Sequence, residues 1–310
     1  MRIVFFGTAE FAVPSLCSLA ESRHLVVAVV TQPDRKKGRG LVISPPPIKI
    51  AALKYNLSVY QPQILSEPKL IDYLKSLEPE VFVVVSYGQI LKKEILSLPS
   101  FCAINLHGSL LPKYRGAAPI NWAIICGETK TGLTIIKMDE YIDRGNIILQ
   151  EEIDIENDDT AVSLSQKLSV VGADLLLKAI ELIEGGKVSF IAQDKTSTSY
   201  APRLKKSDGL INWDSPAAEI RNRVRGLVPW PCAYSYYKGK LLKIWRGEVK
   251  SGLSAEPGRI LEISKEGILV ACGKDNLLIK ELQLEGARRM SSEQFIIGHK
   301  IDLGYKLGKP

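Results

Sequence analysis

Short, uninterrupted apolar runs that alternate with segments of helical period constrain this chain more than any other feature. "RIVFFG" (2–7), "LVVAVVTQ" (25–32), "EVFVVVSY" (80–87) and "CAINLH" (102–107) are short enough for strands and too apolar for strands with one wet face. Between them, "AVPSLCSLAES" (12–22), "IKIAALKYN" (48–56) and "EPKLIDYLKSLEP" (67–79) read as helices. Strands buried on both faces and alternating with helices of about a dozen residues make a parallel sheet with helices on both sides. The pattern predicts more β-structure over 131–138 and 145–155. It also predicts one long helix over 160–186, opened by Asp159 and Thr160 and closed by Gly185 and Gly186.

The pattern then changes. Residues 192–208 lack hydrophobic periodicity, are rich in Ser, Thr and Lys, and read as a linker. A helix over 215–227 follows, then "CAYSYY", "KLLKIWRGEV", "GRILEIS", "GILVAC" and "NLLIKELQLEG". Short strands punctuated by glycine predict a small β-barrel of the kind that carries nucleic acid or sugar. The chain thus divides into a catalytic-type α/β domain over 1–189, a linker over 190–208 and a barrel domain over 209–310. The three parts carry net charges of −1, +2 and +6, so the basic excess of the whole chain (+7) sits at the C-terminal end. A concentrated positive field attracts polyanions, or simply keeps a surface solvated. Arg221, Arg223 and Arg225 sit every second residue of the expected helix, so they cannot share one face.

With 45% hydrophobic and 24% charged residues the composition is that of a globular protein. The opening residues read at once as a strand rather than a signal peptide, and no apolar run approaches the roughly 18 residues of a membrane span. The expected location is the cytoplasm, with no membrane partner. Cys17, Cys102, Cys126, Cys232 and Cys272 form no C-x-x-C pair, and His24, His107 and His299 are dispersed, so neither a disulfide framework nor a metal site is expected.

The most chemical stretch is "AINLHGSLLPKYRGAAPINW" (103–122). In a strand Asn105 and His107 share one face, at the end where α/β proteins build active sites. Asp143, in "MDEYIDRGNII" (138–148), lies between two β-segments from which its carboxylate could reach His107; the alternative is an ordinary turn residue. Asn and His can donate to an oxygen that becomes negative, while Asp orients the His or accepts a proton. Such a set suits attack of an amine on a carbonyl without a covalent enzyme intermediate. The first βα turn, "FFGTAEFAVPS", has Ala9 where a dinucleotide fingerprint needs its second glycine, which argues against a nicotinamide cofactor. "TQPDRKKGRGLVISPPP" (31–47) carries Arg35, Lys36, Lys37 and Arg39 and reads as a long loop without secondary structure. It suits either a phosphate backbone or a solvated surface.

Taken together, "FFGTAEFAVPSL", "VVTQPDRKKGRG", "NLHGSLLPKYRGAAPINWAI", "TGLTIIKMDEYIDRGNII", "SYAPRLKKSDGLINW" and "VRGLVPWPCAY" resemble the methionyl-tRNA formyltransferase family over essentially the whole chain. The H-G-S-L-L-P segment is shared by 10-formyltetrahydrofolate-dependent formyltransferases in general, so it points to the donor; the basic loop and the C-terminal part point to the acceptor. The resemblance implies a Rossmann-like parallel-sheet formyltransferase domain followed by an OB-like barrel that binds tRNA. It implies catalytic Asn105, His107 and Asp143, and folate binding by Ser109, Leu110, Leu111 and Pro112. It also implies tRNA contacts from Arg35, Lys36, Lys37 and Arg39. The expected partners are 10-formyltetrahydrofolate as donor and methionyl initiator tRNA as acceptor, used by a monomer without metal. One departure is Arg144, where the family pattern has a small residue. Two alternatives remain: an N-formyltransferase for a nucleotide-linked amino sugar, and a non-catalytic RNA-binding protein.

Overall fold

The structure, a computed structural model, describes residues 1–37, 42–65, 67–252 and 255–308. It forms two compact units. The first holds 1–119, 131–154 and 165–201; the second holds 120–130, 155–164 and 202–310. In chain order the strands of the first unit are β1 (Arg2–Gly7), β2 (Leu25–Val30), β3 (Arg35–Lys37), β4 (Val42–Ser44), β5 (Val59–Tyr60), β6 (Val81–Val85), β7 (Cys102–His107), β8 (Arg115–Gly116), β9 (Lys130–Lys137), β10 (Ile147–Asp154) and β11 (Tyr200–Ala201).

Seven of these strands form one sheet in the order β10-β9-β7-β6-β1-β2-β5. The run from β5 to β7 is parallel throughout, as the apolar runs predict. The sheet is mixed rather than parallel, because β9 runs antiparallel to β7, with Asn105 opposite Ile136 and His107 opposite Thr134. Nothing in the composition of "TGLTIIKM" distinguishes the two directions, since a buried strand is apolar either way. Chain order reverses between β1 and β6, and the carboxyl ends of β1, β6 and β7 lie on the edge where doubly wound sheets bind ligands. One face of the sheet packs Val4, Phe6, Ala28, Val30, Phe82 and Val84 into a core, with the Phe6 and Phe82 rings 5.1 Å apart. Each valine or phenylalanine among them contributes roughly 1.5–3 kcal/mol relative to exposure.

Helices at Pro47–Lys54, Pro68–Ser76 and Pro119–Ile125 each begin on a proline, whose missing N–H costs nothing at the first helical position. The long helix Ala161–Glu184 packs through Gly172 onto β7; a Cβ there would meet Leu106 Cδ2 at 2.7 Å. Leu106 therefore faces this helix, and its neighbours Asn105 and His107 face the other side. The basic segment after β2 is not structureless: β3 and β4 pair as a short hairpin, with Lys36 opposite Ile43 and Lys37 opposite Val42. Strands of three residues are too short to leave a period in the sequence.

The second unit is built on β12 (Ala233–Tyr237), β13 (Lys240–Lys250), β14 (Ile260–Ser264), β15 (Gly267–Ala271), β16 (Asn276–Leu284) and β17 (Met290–Ser291). They form an antiparallel sheet ordered β12-β13-β16-β15-β14, with β17 beside β16. Residues 304–308 close it. Leu307 N–H donates to Gly258 at 2.8 Å and Gly308 N–H to Tyr236 at 3.3 Å, joining the β14 end to β12. The helix Ala217–Gly226 supplies Ala217, Ile220 and Val224 to the barrel's core.

Candidate active site

β7 delivers Asn105 and His107 to the carboxyl edge of the sheet, held from both sides by β6 and β9. His107 is buried, and its Nε2 lies 3.0 Å from the carbonyl oxygen of Tyr114. A carbonyl only accepts, so Nε2 carries the hydrogen and donates it. The other ring nitrogen, Nδ1, is 3.6 Å from Asp143 Oδ1. That is an ion-pair distance but too long for a hydrogen bond, so a proton-bearing group can still settle against the pair. Among the described residues, no hydrogen bond engages the side-chain amide of Asn105.

Asp143 is pinned from several sides. Its Oδ2 accepts the N–H of Gly116 at 2.8 Å. Gln193 Nε2 donates to the carbonyl of Asp143 at 2.9 Å and to that of Gly145 at 2.8 Å. The backbone of Asp143 sits in the left-handed region (φ 53°), a conformation an aspartate tolerates better than most residues. Gly145 lets the loop turn back onto β9, since a Cβ there would meet the Lys137 carbonyl oxygen at 1.8 Å. Gln193 also accepts from Arg115, at 3.1 Å from Nε and 2.6 Å from Nη2. Arg115 is only 6% exposed.

Sequence reasoning missed Gln193 and Arg115. Gln193 lies in a stretch read as linker, and a lone Gln has no pattern to betray it. The part of that stretch up to Ala201 belongs to the first unit, where β11 pairs with β8.

The segment after His107 is rigid. Ser109 is buried and its hydroxyl donates to the Lys113 carbonyl at 2.6 Å. Thr134 Oγ1 donates to the Ser109 carbonyl at 2.6 Å and accepts the Leu111 N–H at 3.0 Å. Gln150 Nε2 bonds the Leu111 carbonyl at 2.9 Å. Leu111 packs on Ile136 and Ile147, leaving Leu110 and Pro112 half-buried. The side chains of Ser109 and Leu111 are thus engaged inside the fold. Arg144 lies with its guanidinium 5.6 Å from the centre of the Tyr141 ring. Arg35 and Lys36 are exposed on the hairpin, whose other strand exposes Val42 and Ile43. Lys37 pairs through its backbone, and Arg39 lies outside the described residues. Among the described residues no cluster of His, Cys, Asp and Glu could hold a metal, and no helix is long and apolar enough to cross a membrane.

The formyl transferase family profile matches residues 1–180, and the formyl transferase C-terminal domain matches 203–300. The methionyl-tRNA formyltransferase of Geobacter sulfurreducens is 45% identical over 309 residues, covering 100% of this chain and 97% of the relative. That of Caldanaerobacter subterraneus subsp. tengcongensis is 49% identical over 306 residues, covering 98% of this chain and 99% of the relative. The chain belongs to the methionyl-tRNA formyltransferase family. It is a formyltransferase-type enzyme; the second unit gathers, besides residues 202–310, the segments 120–130 and 155–164 from within the first profile's span. The fold extends beyond close relatives. The sugar 3N-formyl transferase WlaRD, crystallised with dTDP and 5-N-formyl-THF, superposes with a TM-score of 0.68 at 21% identity, over 93% of this chain and 99% of that one. HypX from Aquifex aeolicus, in complex with tetrahydrofolic acid, gives 0.66 at 16% identity, over 98% of this chain and 50% of its own. At such identities the likeness is one of fold.

Proposed function

We propose that this enzyme transfers the formyl group of 10-formyltetrahydrofolate to the α-amine of methionyl initiator tRNA, giving N-formylmethionyl-tRNA. The observation that carries the reading is the convergence of Asn105, His107 and Asp143 at one sheet edge, in a chain of this family. An α-amine titrates near about 8, so a modest base suffices to keep it neutral for attack. Asn105, whose amide is uncommitted, donates to the formyl oxygen as it becomes an oxyanion. Asp143, fixed by Gly116 and Gln193, accepts the proton that the amine loses as the new C–N bond forms. His107, whose bare Nδ1 lies 3.6 Å from Asp143 while Nε2–H stays on the Tyr114 carbonyl, takes that proton from Asp143 and passes it to N10 as the old C–N bond breaks. The proton leaving the acceptor nitrogen is thereby balanced by the one the folate nitrogen gains, and no covalent enzyme intermediate forms.

The folate lies against the half-buried Leu110 and Pro112 and the fixed backbone of 109–112, while Ser109 and Leu111 act by shaping that backbone. Arg35, Lys36, Lys37 and Arg39 contact the tRNA, and the basic residues 209–310 add to its field. In this reading the enzyme works as a cytoplasmic monomer. The test is acid-stable incorporation of labelled formyl into methionyl initiator tRNA, set against a nucleotide-linked amino sugar as competing acceptor. Formylation of the sugar with none of the tRNA would overturn the reading.

A further inference from the structure

His107 stands between two acceptors that compete for one ring hydrogen. The Tyr114 carbonyl lies 3.0 Å from Nε2, and the Asp143 carboxylate lies 3.6 Å from Nδ1. A neutral imidazole carries its hydrogen on one nitrogen only, and the firmer hydrogen bond decides which. At equal distance the carboxylate would win, because a bond to a charged acceptor is about twice as strong as one to a neutral carbonyl. The outcome therefore depends on how firmly Tyr114 is held close. Its backbone lies in the left-handed region (φ 59°), where a bulky side chain is strained and persists only if its surroundings fix it. Ser199, 85 residues further along, makes three contacts around that strained residue. Its Oγ accepts the Tyr114 N–H at 2.9 Å, its carbonyl accepts the Arg115 N–H at 2.9 Å, and its own N–H donates to the Pro112 carbonyl at 3.3 Å. Only the first of these comes from the side chain. The chain then enters β11, which pairs with β8 and so holds Gly116, the donor to Asp143.

We infer that Ser199 is a positioning residue that sets the tautomer of His107. Its hydroxyl keeps the Tyr114 carbonyl on Nε2–H, and Nδ1 stays bare toward Asp143. The inference rests on the proton path proposed above and adds the group that keeps that path open. A bare Nδ1 can take the proton that Asp143 collects from the amine and release it to N10. With the hydrogen on Nδ1 instead, that nitrogen is already occupied. The lone pair on Nε2 would then face a carbonyl, which has no proton to give. Residues 199–201 thus position both members of the pair through backbone groups, the Tyr114 carbonyl on His107 and the Gly116 N–H on Asp143.

The test reads the tautomer by nitrogen NMR of the full chain, labelled at histidine and held at alkaline pH, where the imidazoles are neutral. His107→Asn assigns the signal among the three histidines. Wild type should show the hydrogen on Nε2, and Ser199→Ala should move a clear share of it to Nδ1. In the same variant kcat for methionyl-tRNA should fall about tenfold, a part of the roughly 10²–10⁴-fold that a positioned proton carrier contributes. The KM for formyl-folate should stay within twofold, since the backbone contacts of residue 199 remain. Ser199→Thr, which keeps the hydroxyl, should recover both the spectrum and kcat. A wild-type His107 with its hydrogen on Nδ1 would refute the inference without any variant. A Ser199→Ala enzyme that loses kcat with an unchanged spectrum would refute it too, by marking a merely structural role. So would a shifted spectrum with wild-type kcat, or no change in either. The spectrum is taken without substrates, so it stands apart from the acceptor. If wild type failed to formylate methionyl-tRNA, the acceptor reading would fall. The spectrum of Ser199→Ala would still decide the role of Ser199: a shift supports it, and its absence refutes it.

Discussion

Gln193 joins three parts of the active site through one side chain, which makes Gln193→Ala the most informative substitution. Its amide nitrogen holds two carbonyls of the Asp143 loop at 2.9 and 2.8 Å, and its oxygen takes two donors from Arg115. Each neutral hydrogen bond contributes about 1 kcal/mol net and the bonds to the guanidinium about 2 together, a gross loss of about 4 kcal/mol. Gln193 is only half-buried, so water replaces part of this, and about 2 kcal/mol of local stability should disappear. The larger effect falls on kcat. An Asp143 released from its clasp drifts, and a misplacement near 1 Å costs on the order of 10²-fold. The KM for formyl-folate should move little, because Gln193 acts through Asp143.

Gln193→Glu separates the two halves of the clasp. It keeps an acceptor for Arg115 but turns an acceptor toward the two loop carbonyls. It should therefore lose at least as much kcat as the alanine variant, and hydrogen exchange over 143–146 should quicken in both. Wild-type kcat in Gln193→Ala would refute the positioning role. Restoration of activity by Gln193→Glu would show that the Arg115 bond, and not the loop clasp, carries the effect.

Asn105→Ala and Asp143→Asn should each lower kcat by about 10²-fold or more with an unchanged circular dichroism spectrum, the scale of one oxyanion donor or one positioned base. Arg225 donates through Nη1 to the carbonyls of Glu156 and Asp159, at 3.3 and 3.2 Å, and Arg221 donates to that of Asn157 at 2.6 Å. Arg225→Ala should thus destabilise the second unit by about 2 kcal/mol, seen as a lowered melting temperature. The slope of log K for tRNA against log salt should stay unchanged, because these arginines are engaged with carbonyls rather than offered to phosphates. Burial, and then the N-terminal ammonium beside it, push the His24 imidazole below its ordinary value. The unfolded chain then binds a proton that the folded chain refuses, so stability falls as pH drops through about 6.5 and levels off below the folded value. His24→Asn should flatten that fall in denaturant titrations across the same window; an unaltered slope would exclude His24 as its source.

What the sequence determined by itself is whatever depends on local period. The apolar runs at 2–7 and 102–107 are strands over those same residues, and the expected helix over 160–186 forms as Ala161–Glu184. Alternation along β7 was enough to set Asn105 and His107 on one face, because side chains in a strand have no other choice. The reach of Asp143 toward His107 was legible only as a possibility, since it depends on where a loop lands. Tertiary structure decided that through Gly145, which lets the loop lie on the Lys137 carbonyl. It also decided the antiparallel direction of β9, the hairpin in the basic segment and the closure of the barrel by 304–308. Above all it brought Gln193 onto the Asp143 loop and against Arg115, 78 residues away. Single hydrogen bonds across such separations leave no periodicity in a chain; they exist only once the sheet has gathered its ends.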